Sequence, residues 1–146
     1  RAYCHNLPSS LKVAGGHFVH GYPPDSTFRY LYLQSDEKIA ALFAKEAACL
    51  FFVGHTHKLQ LVTLEEGEVV RRRLGRGRAA LKPQQKYIIN CGSVGQPRDG
   101  DHHANYLLWH VDEKELDVRF VDYAREVTIE KIKDRGFPQV YGLRLR

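Results

Sequence analysis

The sequence predicts an α/β fold (α+β by some schemes), and two observations support this prediction. Residues 17–53 have the form strand, loop, helix, strand, with a short apolar strand at each end. Further apolar runs follow, separated by turns that contain glycine or acidic residues, as is typical of antiparallel hairpins. Parallel and antiparallel strands with a connecting helix favour a layered α/β domain.

The chain begins with a predicted hairpin. Leu11-Lys12-Val13 and His17-Phe18-Val19-His20 are candidate strands, and the Gly15-Gly16 pair between them is a typical primed turn. Pro23-Pro24 then starts a loop, because proline cannot continue the ladder of a central strand.

A helix and a buried strand follow this loop. Ser35 is a candidate N-cap, and apolar residues at helical spacing after it predict an amphipathic helix of roughly 13 to 15 residues. Leu50-Phe51-Phe52-Val53 is entirely apolar and predicts a buried strand. A strand–helix–strand connection within one sheet is right-handed, so the strands before and after the helix are predicted to be parallel.

The remaining elements are short and are predicted from alternation, turns and caps. They are a strand over 59–64, a turn over 65–68, a returning strand from Val69, a polar basic loop to about Gln85, a strand over 87–89, a hairpin of 106–111 with 116–121, and a helix over 128–135.

The composition bounds the class of protein. The 146 residues contain no run long enough to span a membrane, so we expect no membrane association. Three widely spaced cysteines predict reduced, mostly buried thiols and a cytoplasmic location. The chain contains no methionine, and we expect that the start of the natural protein is missing. We therefore interpret residues 1–146 as a single partial domain.

An arginine cluster accounts for much of the net charge of +5. It consists of Arg71, Arg72, Arg73, Arg76 and Arg78. Because no aromatic residues alternate with these arginines, the pattern is more typical of a solvated hairpin or loop than of a nucleic-acid-reading surface. A basic nucleic-acid-binding domain remains an alternative hypothesis, and a nucleic acid is also a possible substrate.

The residues Gly54-His55-Thr56-His57 directly follow the buried strand and carry the strongest functional signal. Neutral imidazole is a good ligand for zinc, iron and other first-row metals. Because parallel strands end at the same edge of a sheet, His20 is predicted to lie beside this loop. His17 and His20 are three residues apart and point to opposite faces, so His17 is expected in a packing layer or in solvent. We predict a metal site at His20, His55 and His57, and the alternative is that these histidines are structural.

These residues bear a resemblance to a known superfamily. Val19-His20-Gly21, followed by Val53-Gly54-His55-Thr56-His57, resembles the last two metal-binding motifs of the calcineurin-like metallophosphoesterases. The tract Ile89–Asp101 is similar to a signature of the small prokaryotic branch of phosphodiesterases and protein-phosphatase-like proteins. One departure is Cys91, where that branch usually has proline. The resemblance runs from about Leu7 to Leu145.

The resemblance implies a fold and a reaction. The chain would be the C-terminal half of a four-layer α/β/β/α sandwich that holds two divalent metal ions, which can be Mn, Fe, Zn or Ni. His20 and His55 match ligands of the second metal, and His57 matches a ligand of the first. The implied reaction is hydrolysis of a phosphomonoester or phosphodiester, with the metals activating water and neutralising charge.

Three further residues are weaker candidates for lining a phosphate cleft: Asn90, Arg98 and Tyr22. For two of them a structural role is an alternative, in which Arg98 pins the adjacent Gly95-Gln96-Pro97 loop and Tyr22 packs. Beyond the metal ligands, we assign no catalytic residue within this chain.

The remaining metal-binding motifs of the superfamily are absent from the sequence. They are an Asp-x-His motif, a Gly-Asp-x-x-Asp motif and a Gly-Asn-His-Asp/Glu motif, all of which precede the His-Gly motif. Three neutral imidazoles do not compensate the charge of two cations, so we expect weak or partial metal occupancy and no efficient hydrolysis by this chain alone. The expected partners are the N-terminal half of the same domain and a phosphate-ester substrate. The runner-up hypothesis is a non-catalytic binding or regulatory module with the same fold.

Overall fold

A computed structural model describes residues 2–100 and 102–146, so Arg1 and Asp101, the last residue of the Ile89–Asp101 tract, lie outside the described residues. The strands within the described part are β1 (Ser10–Val13), β2 (Gly16–Val19), β3 (Leu50–Val53), β4 (Leu59–Glu65), β5 (Glu68–Arg73), β6 (Gly77–Ala80), β7 (Tyr87–Cys91), β8 (Ala104–His110) and β9 (Glu115–Val121). The helices are α1 (Ala2–His5), α2 (Asp36–Lys45), α3 (Arg125–Asp134) and α4 (Gln139–Leu143), and a 3₁₀ turn covers Leu31–Leu33.

The described strands form two sheets. Sheet A has the order β1-β2-β3-β7-β4-β5, and sheet B has the order β6-β9-β8. Strands β2, β3 and β7 run parallel, with His17 opposite Phe51 and Val53 opposite Asn90. The predicted parallel strand–helix–strand unit is therefore confirmed, and the carboxyl ends of its strands share one edge of sheet A.

Two hydrophobic cores separate three layers. On one face of sheet A, α2 contributes Ile39, Leu42 and Phe43 to a core that includes Phe51 and Ile88 of the sheet. A second core fills the space between the sheets, and its fully buried members include Ile89, Leu116 and Val118. The mixed α/β fold class is thereby confirmed. At the end of the chain, α3 and α4 pack against each other, with Gly142 against Ile129.

The first hairpin is present, but its predicted turn is wrong by one residue. Ala14 and Gly15 have φ angles of 51° and 73° and form the turn, whereas Gly16 begins β2. A Cβ on Gly16 would lie 2.8 Å from the ring of Phe52. Gly16 therefore lets β2 and the aromatic residues between the sheets approach closely.

Three other predictions need correction. The predicted loop before Gln85 contains β6, which pairs with the distant strand β9 and carries little apolar alternation of its own. Helix α2 has 10 residues and is shorter than predicted, because Glu46 is already extended with ψ of 134° and leads the chain towards β3. Helix α4, beyond Pro138, was not predicted.

The cysteine prediction is only partly correct. Cys49 and Cys91 have free thiols; Cys91 is half-buried, but Cys49 is exposed, contrary to the expectation of mostly buried thiols. The side chain of Cys4 lies outside what the structure describes. None of the helices in the described ranges has the length and apolar character needed to cross a membrane.

Candidate functional site

The carboxyl ends of β2 and β3 bring two of the predicted site residues into direct contact. Gly54 N donates to His20 O at 2.9 Å, which ties the start of the His-x-His loop to the end of β2. His20 Nε2 and His55 Nδ1 then lie 3.0 Å apart, with ring centroids 4.8 Å apart in an edge-on arrangement. The proximity that we predicted for His20 and His55 is present.

A backbone carbonyl determines the tautomer of His55. Its Nε2 lies 3.2 Å from Phe28 O, and a carbonyl can only accept a hydrogen bond. In neutral His55 the hydrogen is therefore on Nε2, and the Nδ1 lone pair faces His20. The ring of Tyr30 stacks on His55 at a centroid distance of 4.0 Å and fixes the plane of the imidazole.

His57 is oriented in the same way by a different loop. Its Nδ1 lies 2.9 Å from Gln96 O, which makes Nδ1 the donor and leaves the Nε2 lone pair free in the neutral ring. Arg98 N also donates to His57 O at 3.0 Å. His57 lines the same cleft as His20 and His55. Partial desolvation lowers the pKa of His20, and charge on His55 and His57 lowers it further.

The cleft encloses about 460 Å³ between the edge of sheet A and the side of sheet B. The imidazoles of His20, His55 and His57 line it, and Phe52 and Trp109 provide apolar surface. Cys91 also lines the cleft, and burial raises the pKa of its thiol to about 12. Because the thiolate is the nucleophilic and metal-binding form, this raised pKa disfavours both roles for Cys91 at neutral pH.

The weaker candidate residues lie in different environments. Asn90 is fully buried beneath the His-x-His loop, and its amide donates to Gly54 O at 2.9 Å. Tyr22 is also buried and donates its hydroxyl to Lys38 O on α2, and burial raises the pKa of this phenol. Arg98 is exposed, and its guanidinium lies 3.2 Å from Gln96 Oε1. Of the three, Arg98 has its side chain in solvent beside the cleft, whereas Asn90 and Tyr22 bond to backbone groups.

Sequence reasoning did not assign a role to three residues that hold the loops around the site. Thr56 lies between the two loop histidines and is buried. Asp99 Oδ2 accepts from Leu59 N at 3.1 Å and so joins the tract after β7 to the start of β4. Asn105 Oδ1 accepts from Ser93 N at 2.7 Å, although Asn105 lies within β8. The Pro-Arg-Asp-Gly sequence indicates a turn at Asp99 and could have drawn attention to this residue. Asn105 is a single polar residue within a strand, and no sequence pattern indicates its role.

The donor set fits only part of a metal site. Carbonyl acceptors on Nε2 of His55 and on Nδ1 of His57 leave a lone pair on the other ring nitrogen of each neutral ring, which is the usual arrangement of histidine ligands. In this structure the lone pair of His55 faces His20 Nε2 at 3.0 Å. Among residues 2–100 and 102–146, however, no group of three or more His, Cys, Asp or Glu side chains is arranged to hold a metal ion. These residues therefore do not complete a metal centre.

Comparisons with known proteins identify the fold. The chain superposes on a metallophosphoesterase from Sphaerobacter thermophilus with a TM-score of 0.86 and 31% sequence identity, over 99% of this chain and 59% of that one. Protein PH1004 from Pyrococcus horikoshii OT3 shares the fold at a TM-score of 0.70 and 17% identity, over 52% of its length. The chain thus has a metallophosphoesterase-like fold.

The sequence comparisons add one relative. Protein MJ0912 from Methanocaldococcus jannaschii is 38% identical over 96 residues, which is 66% of this chain and 38% of that protein. No protein-family model matches the sequence. The chain spans less than two thirds of each of these proteins.

Proposed function

We propose that this chain is the C-terminal part of a metal-dependent phosphoesterase domain that hydrolyses a phosphomonoester or phosphodiester. The observation that carries this proposal is the contact between His20 and His55 at the ends of parallel strands, in a fold similar to that of a metallophosphoesterase. His20, His55 and His57 are the proposed metal ligands. In the complete enzyme, two divalent cations from Mn, Fe, Zn or Ni would activate water and neutralise charge on the phosphoryl group.

The carbonyl contacts of the loop histidines support this assignment. Phe28 O and Gln96 O each bond to one ring nitrogen, so the other ring nitrogens, Nδ1 of His55 and Nε2 of His57, carry the lone pairs that a metal ion would bind. A metal ion between His20 and His55 would replace their mutual contact of 3.0 Å. The exposed Arg98, beside His57, is the residue that we propose for phosphate binding, because a guanidinium recognises phosphate oxygens well.

We further propose that the N-terminal half of the same domain completes the site. The described donors form no metal-binding group, and acidic ligands are needed to balance two cations. The metallophosphoesterase from Sphaerobacter extends beyond the matched region, since 59% of that chain is covered. Within the described sheets, β1 and β8 are edge strands with exposed apolar residues, and such edges favour further pairing.

The test uses the full-length protein with Mn²⁺ and a bis(nitrophenyl) phosphate. We expect metal-dependent hydrolysis that falls by about 100-fold or more in His55→Ala and in His57→Ala, because bound metals supply several kcal/mol of transition-state stabilisation. His102→Ala, which removes an exposed imidazole from the loop before β8, is the matched control and should retain activity. Full activity in both loop variants would exclude the proposal.

A non-catalytic binding or regulatory module is the second candidate, and the incomplete donor set favours it. This hypothesis predicts that the full-length protein contains no stoichiometric metal and hydrolyses none of a panel of phosphate esters. Metal analysis together with that panel separates the two hypotheses.

A further inference from the structure

The His-x-His loop holds both of its histidines in an unusual backbone conformation. His55 and His57 have φ angles of 63° and 58°, in the left-handed region that residues with a Cβ rarely adopt. Thr56 lies between them, with its N–H donating to Gly54 O at 2.6 Å. Two departures of this kind in so short a loop persist only where neighbouring groups hold the loop in place.

Asn90 on the adjacent strand β7 contacts the His-x-His loop through its side chain. Its Nδ2 donates to Gly54 O at 2.9 Å and also to Thr56 Oγ1, while its Oδ1 accepts from Gly92 N at 3.2 Å. Asn90 and Thr56 are 0% and 7% exposed, so water does not compete for these hydrogen bonds. Every polar atom of the Asn90 side chain is therefore used to join β7 to the loop.

We propose that Asn90 and Thr56 form a clamp that positions the two loop imidazoles. The Asn90–Thr56 clamp holds the loop in the conformation in which His55 meets His20 and His57 meets Gln96 O. In this assignment Asn90 acts through the histidines and does not touch the substrate, because its side chain is fully buried. The functional value of the clamp rests on the proposed metal role of the histidines, but its existence does not.

The test compares two threonine-to-valine substitutions in the full-length protein, with isotope-labelled histidine for NMR. Thr56→Val keeps the shape of the side chain and removes the acceptor of the clamp. Thr63→Val is the matched control, because Thr63 is also buried and makes one side-chain hydrogen bond, donating to Lys86 O at 2.9 Å beside the start of β7 and away from the loop. Thr56→Ser retains the hydroxyl and is the rescue variant.

The readout is the through-space signal between the rings of His20 and His55, which lie 4.8 Å apart in the wild type. We expect Thr56→Val to lose this signal, and Thr63→Val and Thr56→Ser to retain it. Asn90→Asp, which removes both donated hydrogen bonds at almost constant size, should reproduce the loss. Wild-type signals in Thr56→Val, or an equal loss in Thr63→Val or Thr56→Ser, would overturn the proposal. No metal or substrate is present in this experiment, so its outcome is independent of whether the protein hydrolyses phosphate esters.

Discussion

At the scale of single residues, His17 within β2 and His20 directly after it lie in very different environments, although they are only three positions apart. His20 is exposed and contacts His55, whereas His17 is 3% exposed on the opposite face of sheet A. Neither ring nitrogen of His17 has a hydrogen-bond partner among the described residues. Burial lowers the pKa of His17, the Lys12 ammonium lowers it further, and the Glu46 and Asp25 carboxylates oppose this effect.

This environment predicts a pH dependence of stability. Because the folded state disfavours protonated His17, the unfolded chain binds more protons below the ordinary histidine pKa of 6.5. The stability that depends on neutral His17 should therefore be fully present above pH 6.5. Below this pH the free energy of unfolding should fall, by at most about 1.4 kcal/mol per pH unit for one proton. His17→Leu and His17→Phe should show a shallower decrease in urea unfolding between pH 7.5 and pH 5. An unchanged slope in both variants would contradict the prediction.

The sequence alone predicted the residues that meet at the site but not the groups that orient them. The contact between His20 and His55 follows from the parallel arrangement of two short strands. Strand alternation placed His17 on the opposite face but left open whether it packs or faces solvent, and the structure shows that it is buried. The carbonyls of Phe28 and Gln96 lie on irregular loops, whose paths depend on tertiary packing. No periodicity in the sequence could therefore assign the tautomers of His55 and His57.

At the scale of elements, the junction between β7 and β8 connects the two sheets beside the cleft. Gly92, directly after β7, has a φ angle of 73°, and a Cβ there would lie 2.0 Å from Asn105 Oδ1. Asn105 N donates to Ser93 O at 3.1 Å, and Ser93 N donates back to Asn105 Oδ1 at 2.7 Å. The glycine thus allows a strand of sheet B to approach the end of a strand of sheet A.

Gly92→Ala should therefore destabilise the protein by more than backbone strain alone explains. Gly67→Ala is the matched control, because Gly67 has a φ angle of 88° and a Cβ added there would meet no atom within 4 Å. We expect a loss of about 1–2 kcal/mol for the control and about 3 kcal/mol or more for Gly92→Ala, which must also displace Asn105. Urea unfolding measures both values. Equal losses would show that the contact with Asn105 is unimportant.

Element prediction from the sequence succeeded where apolar residues recur and failed where pairing is imposed from elsewhere. The strand at Leu50–Val53 is found as predicted, because four buried apolar residues indicate it directly. The strand at Gly77–Ala80 has no such pattern and exists because it pairs with residues 115–118 of β9. Similarly, Gly16 resembles a turn residue but is a strand residue, because the rings of Phe18 and Phe52 require the space of its missing Cβ.

At the scale of the whole molecule, the arginine cluster is largely paired with carboxylates. Arg71 bonds to Asp36 on α2 at 2.6 Å, and Arg72 makes two hydrogen bonds of 2.6 Å with Glu65. In addition, Arg78 bonds to Glu115 at 2.9 Å, and Arg76 lies over the ring of Phe120 at 5.5 Å. Although the net charge of the chain is +5, these pairs prevent the arginine cluster from forming a continuous basic surface.

This pairing predicts that the arginine cluster contributes little to nucleic-acid binding. Neutralising Arg71, Arg72 and Arg73 to glutamine in the full-length protein should leave affinity for duplex DNA, measured by fluorescence anisotropy between about 50 and 200 mM salt, almost unchanged. Conversely, the triple variant Asp36→Asn, Glu65→Gln and Glu115→Gln removes the carboxylate partners of three arginines. This variant should bind DNA more strongly than the wild type. Its salt dependence should also be steeper, by about 1 in log–log slope for each freed arginine that contacts a phosphate. Because exposed ion pairs contribute little to stability, the second variant should fold. A steep salt dependence in the wild type that the glutamine variant abolishes would instead support the nucleic-acid-binding hypothesis.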